Sequence, residues 1–203
     1  QTNEFRRRLY YNVKNMEIKP HFIIGLGNPG SQYDSTYHNA GWLALDFLIQ
    51  NSKSKIESLK FKKYGSFQYL KTEDYIFIKP QTFMNESGKA VLAAMKYFSA
   101  KNRKIKPGEI LVIHDDSDIE LGKLKLSFGQ GAAGHHGVES IIKNLKTKDF
   151  WRIRIGIRPK ASRKKTGLPA ETDRAKASEF VLKKTTPADK LILEQLFKAD
   201  LAF

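Results

Sequence analysis

Phe22-Ile23-Ile24-Gly25-Leu26-Gly27-Asn28-Pro29-Gly30 begins with three apolar residues and passes directly into a glycine-rich turn. An apolar run this short, bounded by turn residues, reads as a buried strand. The glycines spell G-x-G-x-x-G straight after it, the pattern of a dinucleotide-binding turn. That turn requires a helix to begin among the glycines, so that its amino terminus meets pyrophosphate. Here Pro29 and then Ser31, Asp34, Ser35 and Thr36 hold the chain out of a helix until residue 39. No second strand ending in an acid follows about 20 residues on, and Asp46 lies within a helical pattern. The stretch is therefore a strand feeding a polar loop of another kind, and no cofactor is expected.

Working outward, residues 39–52 place Trp42, Leu45, Leu48 and Ile49 on one helical face. Residues 64–70 and 75–79 read as an antiparallel strand pair joined at Thr72-Glu73-Asp74. Residues 87–100 form a helix capped by Ser87 or Asn85, with Val91, Leu92, Met95 and Phe98 inward. Residues 110–113 are an apolar strand, 123–128 alternate, and 151–157 alternate arginine with isoleucine. Helices at 136–145 and 187–196 complete the pattern, and 159–176 carries turn residues and charge without periodicity, as a mobile loop would. Strands interleaved with helices predict a single α/β domain over 21–203, its mixed twisted β-sheet flanked by helices.

Lys plus Arg number 36 against 21 Asp plus Glu, a formal net charge of +15 in 203 residues. Such an excess speaks of partners rather than fold, and points to nucleic acid or an anionic surface. No run approaches the ~18 apolar residues that a membrane span needs. The absence of cysteine removes thiol catalysis and disulfides. Much of the excess falls in two regions. Residues 1–20 hold Arg6-Arg7-Arg8, Lys14 and Lys19 and read as a basic, disordered extension without a secretory core. It suits the remnant of an organelle transit peptide, and Met16 suits an original start equally well. The second region, 143–184, includes Arg152, Arg154, Arg158 and Arg163-Lys164-Lys165.

Three more segments are rich in Gly, Asn, His and Asp: Lys79-Pro80-Gln81-Thr82-Phe83-Met84-Asn85-Glu86-Ser87-Gly88, His114-Asp115-Asp116-Ser117-Asp118, and Gly129-Gln130-Gly131-Ala132-Ala133-Gly134-His135-His136-Gly137. Polar loops beside apolar runs are where binding and catalysis are commonly placed. Together with Gly25–Gly30, Tyr33 and Thr36-Tyr37-His38-Asn39, they resemble bacterial-type peptidyl-tRNA hydrolase, in order, from about Phe22 to Ile157.

Ester hydrolysis at neutral pH needs a base with a pKa near 7, which histidine supplies. A carboxylate on its other ring nitrogen fixes the tautomer. The resemblance implies that His38 is that base and Asp115 its partner; alone, His38 would pass for a surface or capping residue and Asp115 for part of a turn. It likewise implies Asn28, Tyr33, Met84 and Asn85 as substrate-binding residues, and neutral amides suit this because they donate and accept without adding charge. Asn28 also suits a turn and Asn85 a helix cap. Arg154 corresponds to an arginine that contacts tRNA phosphate, and its alternation with Ile153 and Ile155 predicts a solvent-facing side chain. Arg152, on the same strand face, would extend the patch.

Three departures from the family pattern stand out. Tyr37 replaces an arginine before the histidine, His136 replaces an asparagine at the end of the glycine-rich loop, and a lysine near that loop falls at Ser127, with Lys125 or Lys123 as substitutes. His136 is expected to position substrate. A metal is not expected: Asp116-x-Asp118-x-Glu120 begins like a calcium loop but has Leu121 at position six and Ser127 at position twelve. The adjacent histidines lack the spacing of a helical zinc pair.

The resemblance thus implies a metal-free, monomeric hydrolase that cleaves the peptide–tRNA ester and returns tRNA from aborted translation, in the cytoplasm or in a mitochondrion or plastid. A rival of another class is a non-catalytic RNA-binding relative, an organellar splicing- or ribosome-associated factor. The loop substitution and the basic extension keep it open.

Overall fold

A computed structural model describes residues 20–51, 60–101, 104–159 and 178–201. The expected basic extension at 1–20 and loop at 159–176 fall outside these residues almost entirely.

Seven strands form one sheet in the order β2-β3-β4-β1-β5-β7-β6. They are β1 (Phe22–Gly25), β2 (Lys62–Tyr64), β3 (Phe67–Lys71), β4 (Ile76–Pro80), β5 (Ile110–Glu120), β6 (Leu124–Phe128) and β7 (Trp151–Arg158). The central four, β4-β1-β5-β7, run parallel, and the outer pairings β2–β3, β3–β4 and β6–β7 are antiparallel. The central strands are apolar on both sides because helices cover both faces. On one face α1 (Ala40–Gln50) and α4 (Pro187–Asp200) bury Leu45, Leu48, Leu193 and Phe197 against Ile113, Ile153 and Ile155. On the other, α2 (Ser87–Lys101) and α3 (His136–Leu145) bury Val91, Phe98, Val138 and Ile141 against Ile24, Ile78 and Val112. This is the single α/β domain with a mixed sheet that the sequence predicts. Among the described residues no helix is long and apolar enough to cross a membrane.

Two expectations are corrected. The strand predicted at 64–70 is broken: the chain reverses at Gly65, whose φ of +51° suits a residue without a side chain, and β2 pairs back on β3 with Tyr64 opposite Phe67. The strand predicted at 110–113 runs on to Glu120. β1 stops pairing at Gly25–Ile113, but β7 continues beside β5 through Asp115–Ile155 and Asp116–Gly156. Backbone partners from β7, not apolar side chains, keep the polar half of β5 extended.

The opening glycines have a packing role. A Cβ on Gly25 would lie 2.6 Å from the Gly41 carbonyl oxygen, so the bare backbone lets α1 sit directly on β1. That contact brings the start of α1, and the 3₁₀ turn Tyr37–Asn39 before it, over the carboxyl end of β1 and beside Asp115 midway along β5. In open α/β sheets this is where ligands bind.

Candidate active site

His38 sits in the Tyr37–Asn39 turn and Asp115 on β5, two residues past the last β1–β5 pair. The His38 Nδ1 lies 2.9 Å from Asp115 Oδ1, and both residues are buried. A carboxylate only accepts, so Nδ1 carries the proton and Nε2 keeps its lone pair. Burial alone would lower the His38 pKa, but the charge and hydrogen bond of Asp115 outweigh it and raise it above 6.5. Burial likewise pushes Asp115 up, and the rings of His38 and His135 overcome that and hold its carboxyl far below the usual range.

His135, given no role by the sequence, joins the cluster. Its Nε2 lies 2.9 Å from the same Asp115 Oδ1. Its Nδ1 accepts from the backbone N–H groups of Gly137 and Val138, at 3.1 and 3.3 Å, and so caps α3. Because Nδ1 is an acceptor there, the ring proton is on Nε2 and is donated to Asp115. The available signal was position: His135 immediately precedes a helix, where a side-chain acceptor is needed. Ligand-type atoms of His38, Asp115 and His135 all lie within 4.8 Å of one another, a grouping a cation can occupy. A metal on His135 Nε2 would need that proton moved to Nδ1, and the helix would lose its cap. The donor set therefore fits a hydrogen-bonded triad and not a metal.

Asn28 is held by Asn39, another residue without an assigned role in the sequence. The Asn39 Oδ1 accepts from Asn28 N at 2.8 Å and its Nδ2 donates to Asn28 O at 3.1 Å. In turn Asn28 Oδ1 accepts from Met84 N at 2.7 Å, tying the second loop to the first. This commits the acceptor end of the Asn28 amide and leaves its Nδ2 to donate. Met84 is buried, and Tyr33 packs edge-on to the exposed ring of Phe83 at 6.2 Å. Asn85 is exposed and makes no side-chain hydrogen bond among the described residues, so it does not cap the helix. The Ser87 hydroxyl also does not cap it, but turns to Met84 Sδ.

The structure does not join His136 to this cluster. Its side chain is two-thirds exposed at the first turn of α3, with Nδ1 3.8 Å from Glu139 Oε2. Tyr37 also points elsewhere: its ring stacks on Phe180 at 4.5 Å and its hydroxyl bonds Asp189. Burial and then Asp189 push its pKa up to about 12. With His38 N donating to Val181 O at 2.8 Å, these contacts clamp the His38 turn to the chain leading into α4.

The basic residues of β7 are a second correction. Arg154 is not a freely solvated charge, because its Nε donates to Asp116 Oδ2 at 2.7 Å and its side chain is 21% exposed. Arg152 is only 2% exposed, and its Nη2 donates to Gly131 O at 3.0 Å. Strand alternation places both arginines on one face, as predicted, but the glycine-rich loop covers Arg152. Lys125 is exposed and lies directly across the β6–β7 ladder from Arg154, while Ser127 lies across from Arg152.

The family model described as peptidyl-tRNA hydrolase matches residues 22–202. A protein of that name from Caldicellulosiruptor saccharolyticus is 40% identical over 177 residues, covering 86% of this chain and 90% of that protein. One from Lactobacillus johnsonii is 44% identical over 136 residues, 67% of this chain and 71% of that protein. The crystal structure of peptidyl-tRNA hydrolase from Acinetobacter baumannii is similar with a TM-score of 0.69 and 28% identity, over 90% of this chain and 88% of the other.

Proposed function

This chain belongs to the peptidyl-tRNA hydrolase family, and on that basis we propose which of its residues carry each part of the reaction. The enzyme hydrolyses the ester between peptide and tRNA in peptidyl-tRNA. His38 is the general base. Its Nε2 takes a proton from water, whose oxygen attacks the ester carbonyl carbon. The tetrahedral intermediate collapses with loss of the ribose oxygen, and that oxygen receives the proton back from His38. Asp115 keeps the proton on Nδ1 and stabilises the imidazolium that forms. The observation that carries the reading is the 2.9 Å contact from His38 Nδ1 to Asp115 Oδ1, which leaves Nε2 as the basic atom.

Asn28 Nδ2 is the donor for a substrate carbonyl, with no charge to neutralise. Tyr33, Met84 and Asn85 line the approach for the peptide side. Arg154 and Lys125, opposite each other on the sheet, receive tRNA phosphate, a contact to backbone shape and not to base sequence. The reaction needs no metal, in keeping with the capped His135. Action as a monomer goes with this reading, and a translation substrate supports a cytoplasmic or organellar setting. The non-catalytic RNA-binding reading is disfavoured, since the relatives bear the hydrolase name and the pairing of base and carboxylate is intact.

The test is His38→Ala assayed on an N-blocked aminoacyl-tRNA. Loss of a general base lowers the rate by about 10²–10⁴, and tRNA affinity is expected to stay within a few-fold. Undiminished turnover would remove His38 from the mechanism.

A further inference from the structure

Arg152 is the least expected residue in the sheet. Arg152 is 2% exposed, and its guanidinium forms no ion pair among the described residues, since the nearby carboxylate of Asp116 is committed to Arg154. Its Nε is buried without a partner. Burial, followed by the like charge of Arg154, lowers its pKa. A charge in this position is costly and does nothing for stability that an apolar side chain of the same size would not do better. Its one side-chain hydrogen bond among the described residues, from Nη2 to Gly131 O at 3.0 Å, identifies what it serves. Among the described residues, no other hydrogen bond reaches loop residues 129–134 from an element other than the strand and helix that flank the loop. The loop ends at His135, whose ring must meet Asp115 on one side and the α3 backbone on the other.

We propose that Arg152 is a positioning residue: it latches the glycine-rich loop at Gly131 and so holds His135 against Asp115, and with it the basic form of His38. Arg152 and Arg154 are two residues apart on one face of β7, the first facing the loop and the second the Asp116 side. The His114 ring, on β5, packs edge-on against His135 at 4.6 Å. A displaced loop would move His135 by a fraction of its contact distance, and misplacement by about 1 Å is enough to lower a rate by 10². The inference rests on His38 being the base.

The experiment compares Arg152→Met, Arg152→Lys and Arg152→Ala with the parent and with His38→Ala on peptidyl-tRNA. Arg152→Met is expected to lower kcat by about 10- to 100-fold, with KM, tRNA Kd and its salt dependence nearly unchanged. Arg152→Lys, which keeps a donor for Gly131, recovers most of kcat. Millimolar guanidinium raises kcat of Arg152→Ala and does nothing for His38→Ala. If Arg152→Met does not fold, the lysine variant and the guanidinium rescue still decide. A normal kcat in Arg152→Met or Arg152→Ala overturns the latch. So does a loss confined to tRNA affinity with a salt slope lower by about 0.7–0.9, the mark of a direct phosphate contact. Full activity in His38→Ala would instead overturn the assignment of the base.

Discussion

Asp115 and His38 lie 77 residues apart in the chain and 2.9 Å apart in the fold, and the oxygen of Asp115 that meets His38 also meets His135. One carboxylate oxygen thus receives two imidazole donors in a buried setting. Charge and hydrogen bond stabilise the protonated imidazole more than burial opposes it, which raises the His38 pKa.

That shift has a definite pH signature. As the proposed base, His38 works when deprotonated, so kcat/KM should rise with pH through the His38 pKa, above 6.5. Asp115→Asn removes the charge that raises it. The acid limb should then move to lower pH while the plateau falls, because the amide no longer enforces the tautomer. A pH–rate profile of the two proteins checks this, and an acid limb that does not move would separate Asp115 from the titration of His38.

His135 and His136 are adjacent but should behave oppositely. His135→Ala removes a donor from Asp115 and the cap of α3, worth about 0.5–2 kcal/mol, so both kcat and Tm should fall. His136→Asn changes an exposed side chain and restores the family's amide, so kcat/KM should be kept or raised. Steady-state kinetics and thermal unfolding of both variants decide. Loss of activity in His136→Asn comparable to that in His38→Ala would give His136 a chemical role.

Arg154 is expected to serve phosphate in spite of its bond to Asp116. Arg154→Ala should weaken tRNA binding and lower the log–log salt slope by about 0.7–0.9. It also leaves Asp116 as a buried acid without its arginine, beside the proposed phosphate contact. The double variant Arg154→Ala with Asp116→Asn should therefore bind tRNA more tightly than Arg154→Ala alone. Binding isotherms at several salt concentrations test both statements, and an unchanged slope would make Arg154 a partner of Asp116 only.

Tyr37 takes a structural part where the family has an arginine. Its hydroxyl bonds Asp189 on α4, and with its pKa near 12 it stays a neutral donor throughout an ordinary assay range. Tyr37→Phe keeps the stack on Phe180 and deletes that bond, at a net cost of about 1 kcal/mol, with a modest drop in kcat through the adjoining His38. Tyr37→Arg, able to pair with Asp189, should preserve Tm better than Tyr37→Phe. Thermal unfolding with kinetics on the same samples gives the answer, and a Tm for Tyr37→Phe equal to that of the parent protein would remove the clamp.

Local pattern was sufficient for much of this molecule. Helix α3 falls at 136–145 as its periodicity predicts, and the apolar runs at 22–24 and 110–113 lie in the core, because a buried strand or helical stripe is written in consecutive residues. Proline and polar residues after Gly27 keep the chain out of an α-helix until Ala40, as the sequence predicts. Tertiary structure alone decided the rest. Alternation along β7 puts Arg152 and Arg154 on one face, but whether a face is covered depends on a loop contributed by another part of the chain. One arginine is accordingly buried against Gly131 and the other bonded to Asp116. The length of β5 depended on hydrogen bonds from β7, and the choice of His135 over His136 depended on which ring the loop turns toward Asp115. These are contacts between residues distant in sequence. No local propensity encodes them, because their energy exists only once the chain has brought the partners together.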